Sequence, residues 1–234
     1  MKPDISIIIP LYNEVDNIEP LGLSIINVME GKNYEVVFVD DGSTDGSTKK
    51  LKEWCAQHTN FRAIHFRKNA GQTAAMDAGF RRALGKYVVS MDADLQNDPA
   101  DIPKLLEKLN MYDMVCGWRQ KRNDPWVKRI SSKVANYIRN KLSREDIKDT
   151  GCSLKAYRSE CLGQIKLYNG MHRFLPTLFK MEGFTVTEIV VNHYPRKFGK
   201  SKYGISNRAF RAFVDLLAVR WMKKRKLNYE VDNE

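Results

Sequence analysis

For its first 120 residues the chain alternates short apolar runs with stretches that place an apolar residue every three or four positions. Ile5 to Ile9, Tyr34 to Val39 and Gly85 to Met91 read as buried strands. Phe61 to Phe66 alternates as another strand does, and Asp113 to Gly117 supplies a fifth. Helical spacing fills the gaps. Val15 to Met29 puts Ile18, Leu21, Ile25, Ile26 and Met29 on one side. Asp45 is placed to cap a helix reaching Trp54, and Gly71 to Leu84 continues the pattern. Asp98 and Pro99 open a helix to about Leu109. Strand and helix in alternation predict an α/β fold with a mostly parallel sheet covered by helices.

After Trp118 the rhythm stops. A polar loop, Arg119 to Asp124, leads into a basic helical pattern from Pro125 to Leu142. Gly183 to Asn192 alternates as a late strand, and His193 to Gly204 is a loop rich in glycine and lysine. The last helix, Ser206 to Lys223, gathers Phe210, Phe213, Val214, Leu217 and Trp221 on one face and runs into Lys223-Lys224-Arg225-Lys226. There is no internal repeat. The expected organisation is one domain over residues 1–204, followed by a basic amphipathic helix and tail over 205–234.

Charge sharpens this division. Residues 1–115 carry 13 Lys+Arg against 17 Asp+Glu, whereas residues 116–234 carry 26 against 11. A basic second half points to a nucleic acid, an anionic membrane or a phosphorylated ligand as partner. The four cysteines, Cys55, Cys116, Cys152 and Cys161, show no metal-ligand spacing, which fits free thiols in a reducing cytosol. The apolar run after Met1-Lys2 is too short for a signal peptide. The segment Phe210 to Trp221 is interrupted by Arg211, Asp215 and Arg220, so it does not read as a membrane span.

The candidate chemistry lies where strands end. Met91-Asp92-Ala93-Asp94-Leu95-Gln96 follows a buried strand and carries two carboxylates two residues apart. In open α/β sheets ligands bind outside the carboxyl ends of strands. Two such carboxylates on one side repel unless a cation sits between them, so Asp92 and Asp94 can hold a hard divalent cation against a diphosphate. Gln96 can add a neutral oxygen. Asp40-Asp41-Gly42-Ser43 ends a second strand; turn chemistry alone explains such a run, and a carboxylate there can also accept from a base or ribose. The Gly-x-Gly-x-x-Gly loop of dinucleotide oxidoreductases is absent. Arg196 to Lys202 packs four cations into a glycine-containing loop, either as a solvated face or as a clamp on a diphosphate leaving group.

Six segments carry a resemblance. Ile9 to Glu14, Val39 to Ser43, Met91 to Gln96, Gly117 to Arg119, Thr150 to Arg158 and Arg196 to Lys202 stand in the order and spacing of family 2 glycosyltransferases. Over residues 4–205 the chain most resembles the polyprenyl-phosphate branch, similar to dolichol-phosphate mannosyltransferase and bactoprenol glucosyltransferases. The resemblance implies a GT-A fold and transfer of a sugar from a nucleotide-sugar donor to a lipid phosphate, with inversion and Mg2+ or Mn2+. It implies donor contacts from Pro10, Tyr12, Glu14, Val39, Asp41, Asp92, Ala93, Asp94, Arg119, Arg196 and Lys202. Metal contacts would come from Asp92, Asp94 and Gln96, and acceptor contacts from Arg129 and Ser132. Asp94, Arg196 and Lys202 are the expected catalytic groups.

Two departures stand out. Many members carry carboxy-terminal membrane helices, which this chain lacks, and some relatives have an acid where Cys152 stands. A phosphate monoester has its second pKa near ~6, so a lipid phosphate is a dianionic nucleophile at neutral pH without a base. The expectation is therefore an inverting transferase acting on a polyprenyl (dolichyl or undecaprenyl) phosphate. It would be peripheral at the cytoplasmic membrane face, bound to an anionic surface or to a membrane-embedded partner. The alternatives are the same fold acting on a soluble or polysaccharide acceptor, a nucleic-acid-binding module, and a catalytically silent nucleotide-sugar sensor; nucleic acid is not expected as a partner.

Overall fold

A computed structural model describes residues 2–120, 147–196 and 205–227, with Tyr229 and Asp232; side chains of the last helix are described from Phe213 on. Strands β1 (Ile5–Leu11), β2 (Tyr34–Asp40), β3 (Phe61–His65), β4 (Tyr87–Ser90) and β5 (Met114–Trp118) fall where the pattern places them. β4 is shorter than the run Gly85 to Met91, so Asp92 and Asp94 lie in a loop beyond its end. The helices between them are α1 (Ile18–Val28), α2 (Ser47–Gln57), α3 (Gln72–Arg82) and α4 (Ile102–Lys108). Asp98 caps the turn before α4 by accepting the Ala100 N–H at 3.0 Å.

Two strands follow, β6 (Lys155–Arg158) and the expected late strand β7 (Val186–Val190). β6 escapes the apolar pattern because charged residues bound it. Lys155 is nonetheless buried, and its ammonium donates to the carbonyls of Thr150 and Cys152. Arg158 likewise donates to the carbonyl of Leu109 at 3.0 Å. Short helices α5 (Ser159–Leu162) and α6 (Leu175–Met181) also lie in the segment the pattern left unassigned.

Among the described residues the strands form one seven-stranded sheet in the order β3-β2-β1-β4-β6-β5-β7. β1, β2, β3 and β4 pair in parallel, β6 is antiparallel to both its neighbours, and β5 pairs in parallel with β7. Only β6 is therefore reversed. The carboxyl ends of the other strands share one edge with the amino end of β6. Alternation divides the core. Ile7, Ile9, Val36, Phe38 and Val89 face α1, α2 and α4, while Ile8, Val37, Val39, Val88 and Met114 face α3, α6 and the last helix. Burying an aliphatic side chain of this kind contributes roughly 1.5–3 kcal/mol, so the alternation sets the register of every strand.

The last helix, α7 (Ile205–Arg225), packs through Leu216 and Val219, which are buried against α6. Gly170 makes room for it: a Cβ there would lie 2.3 Å from Asp215 Oδ2, and its φ of +86° suits glycine. Lys226 donates to the Met181 carbonyl and to Glu182. The face carrying Phe213, Val214, Leu217 and Trp221 is the exposed one. No helix among the described residues is long and apolar enough to cross a membrane.

Candidate active site

The parallel strands bring separate sequence segments to one edge. β1 delivers Pro10, buried within the strand, then Tyr12 and Glu14 just past its end. β2 delivers Val39, fully buried, and the Asp40-Asp41 pair. The two carboxylates have different fates. Asp40 accepts from Ser43 N at 2.9 Å, Thr48 Oγ1 at 2.5 Å and the His65 ring at 3.2 Å. Burial works against its ionisation, but these donors outweigh it and hold its pKa below the ordinary value. Asp40 thus closes its own turn, as turn chemistry predicts.

Asp41 faces the loop before α3. It accepts from Ala70 N at 2.6 Å, Gly71 N at 2.9 Å and Asn69 Nδ2 at 2.9 Å. Burial pushes its pKa up despite these bonds. Gly42 lets the two loops meet: a Cβ there would lie 2.7 Å from the Lys68–Asn69 backbone, and its φ is +73°. Ala70 and Gly71 escaped the sequence reading because backbone donors leave no side-chain signature, and Asn69 stands alone in a polar loop.

The loop after β4 holds Asp92, Ala93, Asp94 and Gln96, with Leu95 turned into the left-handed region at φ +60°. Asp92 accepts from Gln72 Nε2, at the start of α3, at 2.8 Å. Its backbone N–H donates to Asn97 Oδ1, which also receives the Ser153 hydroxyl at 2.8 Å. Asp94 is buried, and Ala93 beside it is packed into the core. One Asp94 oxygen accepts the Gln96 N–H at 3.2 Å, and the other accepts from Arg196 Nη2 at 2.7 Å. Burial, and then the charge of Asp92, push the Asp94 pKa up to about 6 against the pull of Arg196. Gln96 donates its side-chain amide to the Tyr194 carbonyl at 3.3 Å.

Donors and charges reach the same edge from the other strands. Arg119, just beyond β5, pairs in two-pronged fashion with buried Asp149, at 2.7 Å through Nε and 3.0 Å through Nη2. Burial alone would disfavour the guanidinium charge, but Asp149 outweighs it and raises the pKa. Asp149 is held in turn by Glu188 of β7, which accepts its backbone N–H at 3.0 Å. Neither acid was singled out from the sequence. Asp149 stands one residue ahead of the Thr150 to Arg158 segment, and only the reversal of β6 brings it beside Arg119.

Past β7 the chain is tied to the Asp92–Asp101 loop. Asn192 N donates to Asp101 at 2.7 Å, Tyr194 N donates to the Gln96 carbonyl at 2.9 Å, and the Tyr194 hydroxyl reaches Asp98 at 3.0 Å. These bonds deliver Arg196, whose Nη1 also donates to Glu14 Oε1 at 3.2 Å. Cys152 is buried with its thiol against the Leu154 carbonyl, and burial pushes its pKa up, so it packs rather than reacts. Lys202, Arg129 and Ser132 lie outside the described residues.

A family model described as Glycosyl transferase family 2 matches residues 6–165. The chain belongs to glycosyl transferase family 2. It is similar to dodecaprenyl-phosphate galacturonate synthase of Rhizobium johnstonii, 37% identical over 231 residues, covering 95% of this chain and 68% of that protein. It is also similar to undecaprenyl-phosphate 4-deoxy-4-formamido-L-arabinose transferase of Edwardsiella ictaluri, 38% identical over 206 residues, covering 86% of this chain and 63% of that protein. The chain thus spans about two thirds of the length of these relatives.

Solved structures share the fold. Glucosyl-3-phosphoglycerate synthase from Mycobacterium tuberculosis, in complex with Mn2+, uridine-diphosphate-glucose and phosphoglyceric acid, superposes with a TM-score of 0.71 at 18% identity, covering 94% of this chain and 80% of that one. A mannosyltransferase from Pyrobaculum calidifontis, in complex with GDP-Man and Mn2+, gives 0.65 at 20% identity, covering 98% and 66%. The glycosyltransferase fold of this chain is of the GT-A type, with a mostly parallel sheet.

Proposed function

We propose that this glycosyltransferase moves a sugar, with inversion, from a nucleotide sugar to a polyprenyl phosphate. The observation that carries the reading is the pairing of buried Asp94, beside Asp92, with Arg196 at the sheet edge to which β2 also delivers Asp41. On this reading Asp41, Pro10, Tyr12 and Val39 take the nucleoside end of the donor. Asp92, Ala93 and Asp94 face the diphosphate, with Glu14, Arg119 and Arg196 around them. The polyprenyl acceptor is drawn from the names of the two sequence relatives.

The charge of Asp92 raises the proton affinity of Asp94 beside it, and hard carboxylate oxygens of this kind suit a divalent cation such as Mg2+ or Mn2+. Among the described residues no three His, Cys, Asp or Glu side chains form a preformed cage, so Asp92, Asp94 and Gln96 would hold the ion together with donor oxygens. When bound, such an ion supplies Lewis-acid stabilisation of a diphosphate leaving group. Arg196 is placed to add positive charge to the same oxygens. The acceptor phosphate needs alignment rather than a base, since it is already anionic at neutral pH. Buried Cys152 fits that absence of a base.

The acceptor reading has support from α7. Phe213, Val214, Leu217 and Trp221 are 49%, 47%, 45% and 63% exposed, beside exposed Lys223, Lys224 and Arg225. An apolar stripe rimmed by cations fits the anionic surface of a bilayer, where each well-placed cation adds roughly 1 kcal/mol. The protein is then peripheral at the cytoplasmic face. The basic segment carrying Arg129 and Ser132 would receive the lipid phosphate.

A donor screen against a short polyprenyl phosphate, with products weighed by mass spectrometry, tests the activity. A sugar-phosphate-lipid product is expected; turnover only with a soluble acceptor would replace the lipid. Sedimentation with anionic vesicles tests the surface. Binding should weaken in high salt and in the Trp221→Ser variant, and should be much lower on neutral vesicles. Indifference to anionic vesicles at low salt would favour a membrane-embedded partner instead.

A further inference from the structure

Arg196 occupies the position its proposed diphosphate role makes least obvious. Its guanidinium bridges Asp94 and Glu14, at 2.7 and 3.2 Å, rather than facing open space. We infer that Arg196 is the internal counter-ion of the carboxylate pocket and competes with the divalent cation for Asp94, so that cation and diphosphate favour each other's binding. This rests on the reading of Asp92 and Asp94 as cation ligands.

The competition is over one atom. Asp94 Oδ1 accepts the Gln96 N–H, and Oδ2 is the oxygen that Arg196 holds. A Mg2+ ion needs a carboxylate oxygen at about 2.0–2.1 Å in a nearly fixed geometry. A guanidinium held at 2.7 Å on that oxygen crowds this approach, and two cations on one buried oxygen repel strongly where solvent screening is poor. Arg196 must therefore leave Asp94 when the ion arrives.

Its departure is local. Two residues earlier, Tyr194 is bonded to Gln96 through both backbone groups and to Asp98 through its hydroxyl. The chain leading to Arg196 is thus fastened to the loop that carries Asp94. A swing of the long side chain, without displacement of the segment, moves the guanidinium off Asp94 and onto a neighbouring diphosphate. Diphosphate oxygens replace the carboxylates as its partner, and a two-pronged guanidinium suits them. With the ion alone, Arg196 is displaced uncompensated; with the diphosphate alone, the carboxylates lose their counter-ion. Each ligand removes the penalty facing the other, and the coupling is reciprocal.

Binding of Mn2+ alone, followed by the electron paramagnetic resonance signal of the free ion, isolates this step from turnover. Arg196→Gln should bind Mn2+ about tenfold more tightly than the parent, with Arg196→Lys between them. The tightening should vanish when Asp94→Ala is added. Exposed Arg81, paired with Asp77 on α3, serves as a charge control: Arg81→Gln should leave Mn2+ affinity unchanged. Equal or weaker Mn2+ binding by Arg196→Gln would overturn the competition, as would tightening that survives Asp94→Ala. If the parent binds no Mn2+ even with UDP or GDP present, the cation reading itself falls, and the competition with it. A negative donor screen with the Mn2+ result intact would overturn the proposed activity and leave the competition standing.

Discussion

The two sides of the candidate site hold their charges by different means. On the β1–β2–β4 side, much of the hold on the carboxylates comes from loop backbone: Asp41 by the Ala70 and Gly71 N–H groups, Asp40 by its own turn, Asp94 by the Gln96 N–H two residues on. On the β6–β5–β7 side the cations are held by acids from distant segments. Arg119 meets Asp149 thirty residues later, and Arg196 meets Glu14 across 182 residues and Asp94 across 102. The acidic first half of the chain gathers negative charge at this edge, and the basic second half supplies Arg196 as a counter-ion. The bonds of Asp40 to Ser43 and of Asp94 to Gln96 lie within one turn and tolerate change elsewhere in the fold, whereas Asp41, held by donors 29 and 30 residues on, and the ion pairs depend on the elements between them being placed correctly.

The harshest test of this contrast is Asp94→Ala, which removes a buried group that joins the two sides. Turnover should fall on the order of a thousandfold, the scale seen when a transition-state charge contact is lost. The circular dichroism spectrum should be unchanged, because the loop around Asp94 has other anchors. Retention of more than a tenth of the parent rate would remove Asp94 from the chemistry. Chelator should act on the parent in the same direction.

Breaking the long-range side at Arg119 should cost stability as well as binding. Asp149→Ala leaves a buried guanidinium without its partner, and about 3–5 kcal/mol should be lost in urea unfolding. Replacing both partners, Arg119→Met with Asp149→Leu, should recover most of that stability while donor affinity stays low. If Asp149→Ala unfolds at the parent's urea concentration, the pair is not holding the β5–β6 end together.

The local side should respond more mildly, and with pH. The Asp40 pKa is lowered in the folded protein, so its stabilisation is present above the unfolded value of 3.8 and is lost as pH falls through the folded value. Asp40→Asn should destabilise the protein by about 1–3 kcal/mol at pH 7, the scale of a buried group left imperfectly bonded. The gap between the two melting temperatures should narrow from pH 5 toward pH 3. A gap that is constant with pH would mean that the Asp40 charge contributes nothing.

The smallest effect is expected at Cys152. With its thiol buried and no acid at that position, Cys152→Ser should keep most activity, and the rate should rise with acceptor ionisation through pH ~6. Loss of catalysis with the fold intact would give this position a chemical role.

Strand and helix periodicity was enough to read β1 to β5, β7 and the first four helices, because each buries a face whose spacing matches its own repeat. β6 was not readable: Lys155 donates to carbonyls, and Arg158 donates to a carbonyl and pairs with Asp113 and Glu160, which no apolar pattern records. On α7 the apolar positions were visible, but not which of them the core would claim. Leu216 and Val219 are buried, and the larger stripe of Phe213, Val214, Leu217 and Trp221 is left outside. Asp41, Asp92 and Asp94 were marked as candidates by residue type and a strand-end position, and Arg196 by the run of cations in its loop; the structure brings Arg196 to Asp94.

What the sequence determined by itself was therefore the alternating α/β order, the family and the identity of the charged groups at the strand ends, since these depend on neighbours within a turn or two. The tertiary structure alone decided their pairing. The reversed β6 puts Asp149 against Arg119, and the return of the chain after β7 puts Arg196 between Glu14 and Asp94. The physical reason is range: hydrogen bonds and burial patterns repeat along a chain, while an ion pair depends only on distance in space, which the sheet order sets.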